Sequence, residues 1–203
     1  MTIIYISGID GCGKTTQAQR LASRLNSSGK TAEYQWLRWE PSILPVIRKI
    51  KGLLSGKKRT ATYDAGHRVA DENSIHTTWK RLKRRLLSSK LFQTMWLFYA
   101  TRDYYIAYRK ACSTWKSDYI ILDRYLYDFV VDQALNLGRE PGVFQQEMEN
   151  TVLRHAQKPD FTVIIDIPAE VGYARKRDGT ALEYLKEREA AYNNFSAADN
   201  VLH

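Results

Sequence analysis

Gly8-Ile9-Asp10-Gly11-Cys12-Gly13-Lys14-Thr15 follows the apolar run Ile3-Ile4-Tyr5-Ile6 and leads into a helical pattern that starts near Lys14. The octet meets the phosphate-cradling spacing G-x-x-x-x-G-K-[ST] at every fixed position. Gly8, Gly11 and Gly13 let the backbone curl until several N–H groups face one point, and the positive end of the following helix adds to the field there. Such a nest selects a polyphosphate. Lys14 is the mobile charge for its outer phosphates, and the Thr15 hydroxyl is a ligand for a bridging Mg²⁺. Gly8, Gly11, Cys12, Gly13, Lys14, Thr15 and Thr16 are therefore the expected nucleotide-binding residues. A glycine-rich turn with an incidental lysine is the rival reading; strand, spacing, Lys-Thr pair and helix weigh against it together.

The chain has 203 residues, a length that suits one α/β domain spanning 1–203 with its own core. Met1 passes straight into a strand without a basic-then-apolar leader, and no apolar run approaches the roughly 20 residues of a membrane span. Cys12 and Cys112 make neither a metal-ligand spacing nor a disulfide framework. A reducing, cytoplasmic setting is expected.

The net charge of +9 is concentrated: Arg48 to Lys90 holds 13 Lys or Arg against Asp64, Asp71 and Glu72, which leaves the rest near neutral. Within that segment Lys80-Arg81-Leu82-Lys83-Arg84-Arg85-Leu86-Leu87 spaces leucines as a helix with one buried edge and a cationic face. The face suits anionic substrate, nucleic acid or an acidic lipid surface, and equally plain solvation.

Alternating elements define the frame. The turn Asn26-Ser27-Ser28-Gly29 separates the first helix from a strand over residues 31–37, and Pro41 and Pro45 precede a short helix over 46–54. Residues 91–115 form a longer helix whose aromatics, Phe92, Trp96, Phe98, Tyr99, Tyr104, Tyr105 and Tyr108, read as packing surface. Tyr119-Ile120-Ile121-Leu122 is a buried strand that delivers Asp123-Arg124-Tyr125 at the end where parallel sheets place ligands. Phe161-Thr162-Val163-Ile164-Ile165-Asp166 repeats the pattern, two helices follow, and Asn200-Val201-Leu202-His203 reads as the start of one more strand, as in a truncated copy of a longer protein. The expected architecture is a P-loop NTPase fold: a parallel sheet of about five strands with helices on both faces.

Asp123 is suited to holding magnesium with Thr15, against a rival role as a turn cap. Arg124 offers a planar guanidinium to a second phosphate, against a rival role in a salt bridge. Arg175-Lys176-Arg177 lie where a short lid over about 175–182 would cover the nucleotide, and cations there would stabilise charge on a phosphoryl in flight, unless they are only a solvated run. Donor cradle, metal, acceptor cradle and intervening cations are the parts a kinase needs.

Four stretches resemble the thymidylate kinase family of nucleoside monophosphate kinases: Gly8 through Gln17, Trp96-Leu97-Phe98-Tyr99-Ala100-Thr101-Arg102, Ile121-Leu122-Asp123-Arg124-Tyr125, and Pro159-Asp160-Phe161 through Asp166-Ile167-Pro168. The resemblance implies ATP-dependent phosphorylation of a nucleoside monophosphate, dTMP first, with Lys14 and Asp123 serving the donor and its Mg²⁺. It implies that Asp10 faces the acceptor sugar, Phe98 stacks on the base, Arg102 reads its edge, Arg48 and Arg124 clamp its phosphate, and Gln133 joins them. Because Gly11 stands where some members carry a catalytic arginine, Arg175 or Arg177 is expected to supply that cation. Unaided by the resemblance, Phe98 reads as a core aromatic.

The chain departs from the family pattern at Asp128 and Phe129, where small hydroxyl residues are usual, and in the long basic insertion over about 55–90. Another nucleotide or a phosphorylated small molecule is the alternative acceptor. An ATP-binding regulator with a nucleic-acid-binding basic arm is the reading from a different class, disfavoured because no nucleic-acid-binding signature accompanies the arm. A homodimer is expected, with the basic segment one candidate for its interface.

Overall fold

Ile3 and Tyr5 lose all contact with solvent because the strand that carries them lies in the middle of a parallel sheet. The computed structural model describes residues 1–45, 49, 89–176, 179–193 and 201–202. Apart from Lys49, the helix expected over 46–54 with Arg48, all but the last two residues of the basic insertion 55–90, and Arg177 lie outside the described residues. Among the described residues, β1 (Thr2–Gly8), β2 (Ala32–Trp36), β3 (Tyr119–Asp123), β4 (Phe161–Ile165) and β5 (Val201–Leu202) form one sheet in the order β2-β3-β1-β4-β5. Every pairing is parallel.

The chain is an α/β protein with the P-loop NTPase arrangement expected from its sequence. Helix α1 (Lys14–Ser27) buries Lys14, Ala18 and Ala22, one residue per turn, and packs this narrow face with Ile6 and Ile121 on one side of the sheet. On the other side Ile3, Tyr5, Ile120 and Leu122 meet α2 (Lys90–Cys112) and α3 (Leu126–Leu137) through Ala100, Tyr104, Phe129 and Val130. Ser89 caps α2 by accepting from the Phe92 N–H, and Gly138, in the left-handed region at φ 65°, closes α3. Helix α4 (Pro141–Glu149) has Pro141 in its first turn, and Glu140 accepts from the Gly142 and Val143 N–H groups. After β4 come α5 (Ala169–Arg175) and α6 (Leu182–Asn193), the two helices expected there.

Register sets the site. Ile6 of β1 pairs with Asp123 of β3, and Trp36 of β2 pairs with Asp123 from the other side. The C-terminal ends of three strands therefore open beside one another, and the loops after them share one edge of the sheet. No helix among the described residues is long and apolar enough to cross a membrane.

Candidate functional site

The loop after β1 curls through positive φ at Gly8, Gly11 and Gly13, and α1 begins directly behind it at Lys14. Lys14 is buried, and its Nζ donates to the carbonyls of Gly8 at 2.8 Å and Ile9 at 2.7 Å. The ammonium is thus held over the loop by two neutral acceptors, which an incoming phosphate oxygen can replace with a stronger charged one. Cys12 is buried beneath the loop; burial raises its thiol pKa and outweighs the opposing pull of Lys14. A thiol in that state is packing, not a nucleophile. Thr16 is exposed in the first turn of α1.

Thr15, in the first turn of α1, meets Asp123 at the end of β3: Thr15 Oγ1 donates to Asp123 Oδ2 at 2.5 Å, and Tyr34 Oη donates to the same oxygen at 3.1 Å. Asp123 is 1% exposed, and its Oδ1 is buried without a hydrogen-bond partner. A carboxylate oxygen removed from water and given no protein donor retains capacity for a metal-bound water. The hydroxyl and carboxylate therefore fit a magnesium ion whose remaining ligands are water and phosphate oxygens.

Asp10 is the electrostatic centre. Arg124 donates to its Oδ1, Lys176 Nζ donates to its Oδ2 at 3.1 Å, and Lys14 Nζ lies 3.9 Å from its Oδ1. Burial works against its ionisation, but Arg124, Lys14 and Lys176 together hold its carboxyl well below the usual carboxylate range. One negative charge faces three positive ones. Arg124 reaches it from a backbone at φ 69°, a left-handed conformation rare for a non-glycine residue.

Behind Arg124 sits Asp128, a residue the sequence marks only as a departure from the resemblance. Its carboxylate accepts from Tyr5 Oη at 2.5 Å, Tyr192 Oη at 2.5 Å, Ser7 Oγ at 3.2 Å and the Tyr125 N–H at 3.0 Å. Its Oδ1 is 3.8 Å from the Arg124 guanidinium. Asp128 thereby ties β1, the start of α3 and α6 to the base of Arg124. The hydroxyl pattern that could have signalled this is dispersed over the chain, at Tyr5, Ser7 and Tyr192.

Beside these groups a cleft opens between the loop after β2 and α3, lined by Arg38, Trp39, Phe129, Asp132 and Gln133. Trp96 of α2 donates its indole N–H to Gln133 Oε1 at 2.9 Å. Asp103 of α2 accepts from the Trp39 indole and the Ser42 N–H, both at 3.0 Å, which pins the loop after β2 against α2. Asp132 pairs with Arg188 of α6 at 2.5 Å, and the Arg188 guanidinium lies 3.5 Å from the centre of the Tyr184 ring.

Not every expected residue joins this group. Lys14, Thr15, Asp123, Asp10, Arg124 and Gln133 gather at one edge of the sheet, whereas Phe98 is 70% exposed and Arg102 is exposed on the opposite flank of α2 from Trp96 and Asp103. The helical repeat explains the difference: once Ala100, Tyr104 and Tyr108 face the core, Trp96, Tyr99 and Asp103 fall on one flank, and Phe98 and Arg102 on the other. Arg175 is exposed, and Lys176, the residue between the two expected lid arginines, makes the contact with Asp10. Asp166, at the end of β4, is exposed.

No protein-family model matches the chain. A probable thymidylate kinase from Methanococcus maripaludis strain C6 is 27% identical over 164 residues, 81% of this chain and 59% of that protein. The thymidylate kinase of Nostoc punctiforme is 24% identical over 192 residues, 94% of this chain and 76% of its own length. A probable thymidylate kinase from Methanococcus vannielii is 28% identical over 202 residues, covering 95% of this chain and 77% of its own. The chain thus spans between about three fifths and about three quarters of the length of these relatives, and its likeness to them extends over most of its own residues.

Proposed function

We propose that this chain is a phosphotransferase that moves the terminal phosphoryl group of ATP to a nucleoside monophosphate, with dTMP the first acceptor to test. The observation that carries the reading is Asp10: a carboxylate inside the phosphate loop, surrounded by Lys14, Arg124 and Lys176, with Arg124 also 3.8 Å from Asp128, which lines the Trp39–Gln133 cleft. A loop that only bound a nucleotide would gain nothing from an anion among its phosphate-binding residues. A loop shared with a second substrate gains an acceptor for that substrate's hydroxyl. The relatives named thymidylate kinase support the same reading.

Each residue has a task that follows from its charge and position. Lys14 leaves two carbonyls to hold the outer phosphates, and the loop N–H groups hold the inner ones. Thr15 and Asp123 would hold Mg²⁺, which when bound offsets charge between the outer phosphates. Arg124 binds the acceptor phosphate, its swing limited by Asp128 behind it. Trp96, Trp39 and Gln133 enclose the base, with Trp96 orienting the Gln133 amide. Arg48 belongs to the same reading as a second clamp on the acceptor phosphate and Arg177 as a further lid cation, whereas Phe98 and Arg102, expected at the base, lie on the far flank of α2 and take no part in it.

The deciding experiment measures ADP release with ATP and Mg²⁺ across a panel of nucleoside monophosphates. Turnover is expected with dTMP, and Lys14→Ala is expected to lower it by about three orders of magnitude or more, comparable to losing a main electrostatic group. The panel includes cytidine and guanosine monophosphates because Asp132 lines the cleft, and a carboxylate accepts from an exocyclic amine. If dTMP is inert while another monophosphate reacts, the acceptor assignment is overturned and the phosphotransferase reading stands. Turnover of Lys14→Ala at the wild-type rate would overturn both. A homodimer belongs to this proposal, to be checked by light scattering over a concentration series.

A further inference from the structure

Three consecutive cations, Arg175-Lys176-Arg177, follow the start of α5, and geometry separates the first two. Arg175, the last residue of the helix, is exposed. Lys176 turns inward, its side chain 34% exposed and its Nζ donating to Asp10. The Lys176 backbone N–H donates to the Gly172 carbonyl at 3.1 Å, so the residue is tied to the last turn of α5 rather than released into the segment beyond.

Helix α5 is itself seated on the phosphate loop. A Cβ on Gly172 would lie 2.8 Å from the Asp10 carbonyl oxygen, and a Cβ on Gly11 would lie 2.5 Å from the Gly172 carbonyl oxygen. Two backbones touch here with no side chain between them. Gly11, which in the loop spacing is a variable position, is required by this contact as well as by its own φ of 86°. The distance from α5 to Asp10 is therefore fixed by rigid backbone, and with it the approach of Lys176. Arg124 arrives at the same carboxylate from β3, and Lys14 from α1. Three separate elements aim cations at one point, where Asp10 faces all three and Asp128 faces Arg124 alone.

We infer that Lys176 is a phosphate-facing cation of the transfer site, held ready on Asp10 and exchanged onto the phosphate oxygens when a polyphosphate enters. The inference rests on the phosphotransferase reading and adds to it the cation that the end of α5 delivers. Lys176 forms no covalent bond and gives up no proton. It offsets negative charge while the phosphorus exchanges its bond to the bridging oxygen of the donor for a bond to an acceptor phosphate oxygen. Asp10 serves meanwhile as the resting counterion, so that gathering the cations costs little at the moment of binding.

Inorganic tripolyphosphate tests this without turnover. Calorimetric titration of the full chain at about 0.1 and 0.3 M salt compares the wild type with Lys176→Ala, Lys176→Arg, Arg175→Ala, Lys14→Ala and the exposed control Lys116→Ala. Loss of one charged hydrogen bond predicts binding about tenfold weaker for Lys176→Ala, with a shallower salt dependence, and recovery to within about threefold for Lys176→Arg. Arg175→Ala is expected to lose less than Lys176→Ala, and Lys116→Ala to match the wild type. In turnover with ATP, Lys176→Ala is expected to lower kcat more than it raises KM for the acceptor.

Wild-type affinity in Lys176→Ala, or a larger loss in Arg175→Ala, overturns the inference while a weakened Lys14→Ala leaves the phosphotransferase reading intact. Wild-type affinity in Lys14→Ala overturns the reading and the inference together.

Discussion

At the scale of single residues, the site turns on side chains whose roles are decided by which flank of an element they occupy. Trp96 and Phe98 are two positions apart on α2, which puts them about 200° apart around the helix axis. Trp96 donates to Gln133, which lines the cleft, and Phe98 is 70% exposed on the far flank. The two substitutions should therefore differ. Trp96→Ala removes an aromatic wall and loosens the Gln133 amide, and base–aromatic stacking of about 1–3 kcal/mol predicts an acceptor KM raised roughly 5- to 150-fold. Phe98→Ala is expected to change that KM by less than about twofold, well below the loss of any such contact. Steady-state kinetics on the two variants checks the pair, and a larger effect at Phe98 would show that the base lies against the other flank of α2. Asp128 makes a complementary point: a buried carboxylate that accepts from three hydroxyls and one backbone N–H is a structural anchor, and its chemistry is spent on holding Arg124 rather than on substrate.

At the scale of elements, the short helix α5 carries more of the site than its seven residues suggest. Its Gly172 lies against the carbonyl of Asp10 and the side chain of Ile9, so that Gly172→Ala would set a Cβ 2.8 Å from backbone and 3.1 Å from Ile9 Cδ1. Alanine is the better helix former by about 1 kcal/mol, yet overpacking against fixed backbone costs about 1–3 kcal/mol. The variant is thus expected to be destabilised by up to about 2 kcal/mol in urea unfolding and to lose tripolyphosphate affinity as α5 moves off the loop. Unchanged stability and affinity would mean that α5 rides on the loop without constraining it. The sequence discloses the phosphate loop because three glycines, a lysine and a threonine act within eight residues. It discloses β3 and β4 because each is a nearly continuous apolar run, as strands of a parallel sheet covered on both faces are, with β3 the more fully enclosed of the two. The contact between Gly11 and Gly172 spans 161 positions and leaves no local pattern, so only the folded chain reveals it. Helices α3 and α4 were likewise less legible, since their ends depend on Asp128, Glu140 and Gly138 acting as caps, a role shared with ordinary loop residues. On α2 the aromatics were evident but their direction was not, because its large side chains surround the helix and leave the core-facing side undefined by pattern alone.

At the scale of the whole molecule, the arrangement around Asp10 joins the stability of the fold to the acidity of the solvent. Lys14 belongs to α1, Arg124 to the end of β3 and Lys176 to the end of α5, so one carboxylate links three elements that leave the same edge of the sheet. Burial alone would favour its neutral form; the three cations outweigh burial and hold its folded pKa well below the usual range. A carboxyl whose pKa is depressed by folding contributes stability that is fully present above its unfolded value, near 4, and that is lost as pH falls through that value toward the folded one. Asp103 shifts in the same direction: burial opposes its ionisation, and the donors from Ser42, Trp39 and Tyr99 outweigh it. Acid should therefore weaken the fold from the ligand-facing edge first. For one such group the slope is at most about 1.4 kcal/mol per pH unit. Asp10→Asn removes the group that titrates while keeping its shape, and leaves Lys14, Arg124 and Lys176 without their common counterion. At pH 6 the variant is expected to be the less stable protein, with a lower urea midpoint. From pH 4 down to pH 2 the wild type should progressively lose this advantage, so that the two midpoints draw closer. A gap that stays constant over that range would mean that the carboxylate charge contributes nothing to folding, and the cations would then be held by their own elements instead of by Asp10.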